Sequence, residues 1–388
     1  LGYAGAASLT LMTMTPGSLR GAQSDGKIRL GMIGCGGRGT WLGNLFREHG
    51  GYEIVAAADY FQDRVDRFSE KFNVPGRNRF TGLSCYQQLL GENLDAVAII
   101  SPPYFHPEQA AAAVDAGTHV YLAKPVAVDV PGCLSISESG DRATKSGLSF
   151  LVDFQTRTDP FYIEAIKQVH DGALGTIANG DVEYHAGRLS AQSEPGTPEA
   201  RLRNWVFDQK FSGDIIVEQN IHALDVASWV LDAAPVKAYG GGGRKVRTDV
   251  GDCWDYFSVS YEFPNNVQMT FSSKQFGQGH SDILCRVYGE EGTLHTHYGG
   301  RVMIRGNRPY RGGETTQIYR EGAVRNIAEF HRTISEEDYT NPTVEPSVRS
   351  NLTTILGREA AYSRRELTMD ELMDAQVKVI PNLNGLEA

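Results

Sequence analysis

A glycine-rich segment near the start of the chain constrains the fold more than any other feature. The apolar run Lys27–Ile33 is typical of a strand, and the segment Thr40–His49 has apolar residues at helical spacing. Between them lies a G-x-G-x-x-G sequence, whose first glycine makes a tight turn, whose second lets the backbone approach a pyrophosphate, and whose third permits close helix–strand packing. The helix amino terminus then offers N–H groups to the phosphates. The sequence predicts dinucleotide binding by Gly34, Cys35, Gly36, Gly37, Arg38 and Gly39.

The end of the next predicted strand indicates which dinucleotide is bound. Glu53–Ala58 is followed by Asp59, about twenty residues beyond Gly39, where an acidic side chain can accept hydrogen bonds from the adenosine ribose. This predicts NAD, with NADP less favoured, although Arg64 would soften the preference if it reached a 2′-phosphate. Asp59 is also a suitable N-cap for the predicted helix Gln62–Phe72, and one residue can serve both roles.

Helical and strand patterns continue to alternate in the first part of the chain. The alternation predicts a doubly wound parallel sheet, an α/β Rossmann fold that binds ligands at the carboxyl ends of its strands. The further predicted elements are Tyr86–Leu90 (helix), Asp95–Ile100 (strand), His106–Ala116 (helix), His119–Leu122 (strand), Pro131–Lys145 (helix) and Leu148–Val152 (strand). Cofactor-binding candidates at two of these strand ends are Ser101, Pro102, His106, Lys124 and Pro125.

Beyond about residue 178 the pattern becomes rich in strands and predicts a large, open, mainly antiparallel sheet. The predicted strands are Asp181–His185, Val236–Gly240, Tyr256–Phe263, Val267–Ser272, Ile283–Tyr288 and Val302–Ile304, followed by helices Val324–Ile334 and Val348–Tyr362. The glycines Gly240–Gly243 predict a turn, because no helix follows that would make them a phosphate cradle. An exposed sheet of this size needs a cover, which predicts a homo-oligomer, either a dimer or a tetramer.

Together these features resemble the Gfo/Idh/MocA family, named after glucose-fructose oxidoreductase, inositol dehydrogenase and a rhizopine-catabolism protein. The resemblance covers nearly the whole chain and is carried by GMIGCGGRG, SPPYFHPEQ, HVYLAKPVAVD and GDIIVEQNIHALDVASWVL. It implies a Rossmann domain at 27–150 and an α/β domain for substrate binding and oligomerisation at 151–388. It also implies hydride transfer between NAD(P) and a secondary hydroxyl of a sugar, cyclitol or sugar derivative.

The resemblance further implies the catalytic residues. The lysine of the family's Glu-Lys-Pro signature is Lys124, whereas Ala123 replaces the glutamate and removes a carboxylate that would stabilise the ammonium. The spacing of Glu218, His222 and Asp225 at i, i+4 and i+7 predicts that they share one face of a single helix. Glu218 and His222 match an acid and a histidine that lie beside the substrate in the family, and Asp225 is expected to orient the helix or the histidine. We expect Lys124 to hydrogen-bond the reacting hydroxyl and His222 to accept or relay its proton. Which of the two is the base stays open, and Glu218 would orient His222 or bind a neighbouring hydroxyl.

Other polar and aromatic side chains are candidates for recognition of a sugar. Two arginines among them would clamp an acidic substituent if the substrate carries one. The candidates are Gln155, Arg157, Tyr184, His185, Arg203, Trp205 and His222.

Charge and composition exclude several other classes of protein. The formal net charge of −10 argues against nucleic acid or an anionic membrane as a partner, and no apolar run predicts a membrane span. The five cysteines are scattered and predict neither a disulfide framework nor a zinc cluster. No metal site is predicted, because Glu218 and His222 lack a third ligand at suitable spacing, while His295 and His297 are expected to be exposed strand residues.

Residues 1–19 carry no charge, and Arg20 is the first charged residue. The stretch predicts the apolar part of an export signal, of the twin-arginine type, and therefore a periplasmic protein. Two alternatives for residues 1–26 are a hydrophobic helix packed on the protein and an arm that packs across a partner subunit, and either would suit a cytoplasmic enzyme.

Three functions are compatible with this sequence. The first is an NAD-dependent dehydrogenase of sugars or cyclitols. The second is a glycoside-cleaving enzyme that holds NAD tightly and proceeds by oxidation, elimination, hydration and reduction. The third is a non-catalytic binding protein on the same fold, for which Ala123 is mild support.

Overall fold

The first sheet consists of six parallel strands in the order β3-β2-β1-β4-β5-β6. The computed structural model describes residues 26–388, and the predictions for residues 1–25 lie outside this range. The strands are β1 (Ile28–Ile33), β2 (Tyr52–Asp59), β3 (Arg79–Thr81), β4 (Ala96–Ile99), β5 (His119–Ala123) and β6 (Phe150–Asp153). The helices that alternate with them are α1 (Gly37–His49), α2 (Gln62–Phe72), α3 (Cys85–Leu90), α4 (His106–Asp115) and α5 (Val130–Lys145). This is the strand order of a Rossmann fold and confirms the predicted doubly wound sheet.

The second sheet has nine strands in the order β14-β13-β12-β11-β7-β10-β9-β8-β15. Only β7 and β10 run parallel, and every other neighbouring pair is antiparallel, as the sequence predicted. The strands are β7 (Ile177–Ala186), β8 (Lys237–Gly243), β9 (Tyr256–Phe263), β10 (Val267–Gln275), β11 (Asp282–Gly289), β12 (Gly292–His297), β13 (Arg301–Gly306), β14 (Tyr310–Glu314) and β15 (Leu367–Thr368). The helices of this part are α6 (Pro160–His170), α7 (Pro198–Arg203), α8 (Gln209–Ser212), α9 (Ile215–Glu218), α10 (Ile221–Val230), α11 (Ile318–Ser335), α12 (Val344–Ser363) and α13 (Met369–Ala375).

The glycines Gly240–Gly243 lie in strand β8, which corrects the predicted turn. Their backbone pairs with β9 in antiparallel register. A Cβ atom on Gly242 would lie 2.4 Å from the Tyr256 carbonyl oxygen and 2.8 Å from the Trp254 ring. The glycine run therefore permits close packing of an aromatic side chain on the sheet, a contact that local turn propensity does not report.

Helix α11 belongs by its packing to the first sheet, although it follows the strands of the second along the chain. Its buried residues Ala323, Ile327 and Phe330 pack among side chains of β1 and α1. The Tyr52 hydroxyl donates a hydrogen bond of 2.9 Å to the Ile327 carbonyl. The two domains are thus joined by a shared apolar core as well as by the connecting chain.

Helix α12 connects the domains through buried polar side chains. The Asn351 amide accepts from the backbone N–H of Val126 at 2.9 Å and donates to the Ala127 carbonyl at 3.1 Å. The Arg358 guanidinium donates to the carbonyls of Val128 and Gly213 at 2.8 and 3.1 Å. Segment 126–128 and the loop before α9 are therefore held against one helix.

Between residues 26 and 388, no helix has both the length and the apolar character needed to cross a membrane.

Replacing Phe330 tests the packing of α11 on the first sheet. Phe330→Ala leaves a cavity in a fully buried cluster, so we expect the free energy of unfolding to fall by about 3–5 kcal/mol in urea titrations. The matched control is Val324→Ala, because the Val324 side chain lies on the outer face of the same helix and is 37% exposed. This substitution should lower the free energy of unfolding by less than about 1 kcal/mol. Equal effects of the two substitutions would contradict this account of the packing.

Candidate active site

The glycine loop has the close approaches that the sequence predicted. Gly34 has a φ of +96°, and a Cβ atom there would lie 2.6 Å from the Ile100 carbonyl carbon. A Cβ atom on Gly39 would lie 1.8 Å from the Gly34 carbonyl oxygen, so a side chain at this position would push α1 away from the loop. A Cβ atom on Gly37 would meet nothing within 4 Å, and one on Gly36 would meet only the Arg64 guanidinium, at 3.6 Å, so the backbone of both glycines is accessible to a ligand.

Asp59 anchors the loop from the end of β2. Its carboxylate accepts hydrogen bonds from the backbone N–H groups of Cys35 and Phe61, at 2.8 and 3.0 Å. Burial raises the pKa of Asp59, whereas these hydrogen bonds and nearby Arg64 oppose the shift. The N-cap position of α2 is Phe61, so Asp59 fixes the turn before the helix rather than capping it.

A cleft of about 430 Å³ runs from the glycine loop to the second domain. Its walls fit NAD: glycines without side chains face the space, Asp59 lies at one side, and apolar and aromatic side chains offer surfaces for flat rings. The lining includes Gly34, Gly36, Gly37, Arg38, Gly39, Asp59, Tyr60, Phe61, Arg64, Ser101, Pro102, Leu202, Arg203, Trp205, Glu218 and Gln219. Residues 377–388 pack behind this wall, where the Glu387 carbonyl accepts from Leu83 N–H and the Glu387 N–H donates to Tyr60.

The Lys124 amine meets Glu218 at a break in the predicted catalytic helix. The sequence predicted one continuous helix through Glu218, His222 and Asp225, but α9 ends at Glu218 and α10 begins at Ile221. The N–H of His222 bonds to Gln219 instead of Glu218. The Glu218 carbonyl is therefore free to accept from Lys124 Nζ at 2.5 Å, and the Glu218 carboxylate lies 3.2 Å from the same amine.

His222 lies close to this pair, in a buried environment. The pKa of His222 lies well below 6.5. Burial is the largest cause, and the positive charges of Lys124 and Arg38 act in the same direction. Its Nδ1 atom has no hydrogen-bond partner within the described part of the chain. The Tyr298 ring lies 5.2 Å from the imidazole ring, a neighbour that the sequence did not indicate because no motif surrounds it. The imidazole is therefore neutral near pH 7 and can accept a proton.

Arg38 extends from the glycine loop towards His222. Its guanidinium forms an ion pair of 2.6 Å with Asp153 at the end of β6 and stacks against Trp41 and Tyr319, at 4.7 and 4.9 Å from the ring centroids. The sequence assigned Arg38 only to the cofactor loop. Its effect on His222 adds a second cation to the site.

Two of the residues predicted to contact the substrate instead bind other side chains of the protein. The Arg157 guanidinium makes a bidentate pair with Asp225, at 2.8 to 3.1 Å, and Asp225 is fully buried. This corrects the prediction that Arg157 clamps substrate, and it shows that Asp225 orients α10 rather than His222. Gln155 is buried and donates to Asp153 at 2.9 Å.

Other predicted contacts lie elsewhere in the site. Arg203 pairs with Asp63 and stacks over Phe61 at 4.0 Å, and Trp205 lies in the same cluster. Both therefore face the end of the cleft beside Asp59 instead of Lys124. Tyr184 is buried on the inner side of β7, where burial and the charge of Glu218 raise its pKa. His185, one residue later, points to the opposite side of the sheet and is excluded from the cleft.

His106 has a supporting position. The ring nitrogens lie 2.8 Å from the carbonyl oxygens of Pro125 and Ser101, and burial lowers the pKa of His106 to about 4. The imidazole therefore connects two strand ends from beneath the cleft. In this position His106 packs next to the cleft without lining it, and a contact of His106 with the cofactor stays a prediction.

Comparison with known proteins agrees with this geometry. Residues 28–154 match an oxidoreductase family with an NAD-binding Rossmann fold, and residues 162–295 match the GFO/IDH/MocA C-terminal domain. The chain belongs to the GFO/IDH/MocA oxidoreductase family. It is an NAD-dependent oxidoreductase, which confirms the predicted enzyme class and cofactor.

Relatives and solved structures of this family cover most of the chain. Scyllo-inositol 2-dehydrogenase (NAD(+)) of Bacillus subtilis is 24% identical over 69% of this chain and 73% of its own length. Inositol 2-dehydrogenase 3 of Saccharopolyspora erythraea is 28% identical over 69% and 72%. A levoglucosan dehydrogenase, solved with NADH and levoglucosan, superposes with a TM-score of 0.71 at 17% identity, over 88% of this chain and 99% of that chain. This last likeness establishes a shared fold.

The Arg157–Asp225 pair can be tested through stability. Arg157→Ala leaves the buried Asp225 carboxylate with the Ser350 hydroxyl as its remaining partner, so we expect a loss of about 3–5 kcal/mol in the free energy of unfolding. Lys167→Ala removes an exposed ion pair and should leave the urea midpoint unchanged. An Arg157→Ala variant as stable as the parent would show that the pair is dispensable.

Proposed function

We propose that the protein transfers a hydride between NAD and a secondary hydroxyl of a sugar or cyclitol. The observation that carries the proposal is the amine of Lys124, held at Glu218 beside the neutral imidazole of His222. The names of the inositol dehydrogenases among the relatives support a polyhydroxylated ring as substrate. The stacked side chains of Trp41 and Tyr319, 4.7 Å apart, add a flat apolar surface nearby.

The residues divide the work as follows. NAD⁺, when bound, supplies the hydride acceptor. Lys124 Nζ donates a hydrogen bond to the reacting hydroxyl and stabilises negative charge that develops on its oxygen. The imidazole of His222 accepts the proton, since burial, together with the cations Lys124 and Arg38, lowers its pKa and favours the neutral form beforehand. The Glu218 carboxylate orients the amine and binds an adjacent hydroxyl.

Removing the amine tests this assignment. Lys124→Ala should lower kcat by about 100-fold or more, the usual contribution of a positioned acid or base, while calorimetric NAD affinity changes little. Lys167→Ala, an exposed lysine far from the cleft, serves as the control and should keep parental kcat. Near-normal turnover of Lys124→Ala would refute the role of Lys124.

The preference for NAD over NADP is part of the same proposal. Asp59→Ala removes a carboxylate that would accept from the ribose hydroxyls and repel a 2′-phosphate, so NAD affinity should fall about tenfold or more. Because Asp59 also anchors the glycine loop, NADP affinity is the internal control for a general loosening of the site. A smaller loss for NADP than for NAD is expected, and equal losses would remove the reason for choosing NAD.

One observation favours a second candidate, a glycoside-cleaving enzyme that retains its NAD. Leu383 and Leu386 pack against Phe61 of the first domain and Leu202 of the second. The segment 377–388 therefore supports one wall of the cleft by contacts with both domains. A wall secured in this way suits a cofactor that does not leave between turnovers.

Incubation with free sugars and with glycosides, each with and without added NAD, separates these functions. NADH accumulation supports the dehydrogenase. Aglycone release without NADH accumulation supports the glycoside-cleaving enzyme. If neither NADH nor a released aglycone forms with any compound of a broad panel, the result favours the binding protein instead.

We also propose that the protein is exported and forms homo-oligomers. The uncharged residues 1–19 support export, and sequencing the amino terminus of periplasmic protein tests whether they are removed.

The open outer face of the nine-stranded sheet supports self-association. Light scattering after gel filtration tests it, and a monomeric mass at micromolar concentration would refute it.

A further inference from the structure

A group of metal-ligating side chains lies on the outer face of the nine-stranded sheet. Successive residues of a strand face opposite sides, so Glu183 and His185 share the side of β7 opposite to buried Tyr184. The connection from β10 to β11 brings His280 to the same place. None of the three takes part in the NAD cleft described above.

The spacing of the three ligand atoms suits a bound ion. Glu183 Oε2 lies 3.3 Å from His185 Nδ1 and 3.8 Å from His280 Nε2, and all three atoms lie within 4.8 Å of one another. Ligand atoms about 2.1 Å from a tetrahedral ion are about 3.4 Å apart, so an ion fits with small side-chain adjustments.

A neighbouring hydroxyl orients one of the ligands. Ser272 Oγ lies 3.1 Å from His185 Nε2 and can accept its proton, which leaves the Nδ1 lone pair facing Glu183 and His280. Metal-binding histidines commonly use such a partner on the second ring nitrogen.

The surrounding charges allow a cation at this position. Lys274 lies beside His185 on β10, but its amine is directed to the Phe276 carbonyl at 3.4 Å. Asp282 lies opposite His185 on β11 and pairs with His297 at 3.0 Å. The ligand set of two imidazoles and one carboxylate suits zinc and similar ions, whereas magnesium and calcium prefer oxygen atoms.

We propose that Glu183, His185 and His280 bind a zinc-type divalent ion, with water in the remaining coordination position. The ion fixes the β10–β11 connection to the sheet and takes no part in hydride transfer. This site escapes sequence analysis because His280 is far from Glu183 and His185 along the chain. The alternative arrangement is an ion pair between His185 and Glu183 without metal.

The test uses the full chain without an affinity tag, dialysed against a chelator and titrated calorimetrically with ZnCl₂. We expect saturable binding of one ion per chain and, with CoCl₂, the visible absorption of tetrahedral cobalt. His280→Ala, at a side chain 67% exposed, should weaken binding by at least about tenfold without affecting the fold. Glu183→Gln preserves the shape of the group and should weaken binding similarly.

His295→Ala is the matched control, because His295 lies on the same sheet but outside the group. It should bind zinc as the parent does, and MgCl₂ should not bind at the site. The proposal is overturned if the parent shows no saturable zinc binding, or if His280→Ala and Glu183→Gln bind as tightly as the parent. Either result would leave the ion pair of His185 and Glu183 without metal as the correct description.

Discussion

The position of Lys124 depends on the polar contacts of helix α12. Asn351 fixes the backbone that follows Lys124, and Arg358 joins this segment to the loop before α9 through two carbonyls. These donors and acceptors are buried, and separating them would leave each unsatisfied at a cost of about 1–3 kcal/mol. The amine and Glu218 come from different domains, yet α12 holds them in one geometry.

The break between α9 and α10 has a direct chemical consequence. A continuous helix would use the Glu218 carbonyl for the N–H of His222. The break releases that carbonyl to Lys124 and lets α10 start immediately before His222. The family's acid–histidine spacing therefore persists in the sequence, although the two side chains do not occupy one helix.

The electrostatics of the site result from burial as much as from individual pairs. Lys124 and Arg38 each have a carboxylate partner, Glu218 and Asp153 respectively. Within residues 26–388 His222 has no ion-pair partner, and burial together with the two nearby cations favours its neutral form. These surroundings support the proposed role of His222 as the proton acceptor.

Strand β7 separates two environments by its period of two. Tyr184 faces the domain interior near Glu218, while its neighbours on either side face outward. From the sequence alone, both Tyr184 and His185 are candidates for contact with a sugar. A one-residue difference in position along a strand is enough to exclude one of them from the site.

The sequence by itself determined the Rossmann sheet, the glycine loop and the position of Asp59, because these depend on local spacing within one strand–loop–helix unit. It also determined the candidates Lys124 and His222 through motifs of the family. Only the tertiary structure decided that Arg157 pairs with Asp225, that Arg203 lies at the Asp59 end of the cleft, and that Gly240–Gly243 form a strand. Each of those outcomes depends on a partner distant in sequence, and side-chain spacing along the chain does not encode which distant group will neutralise a buried charge or pack on a glycine surface.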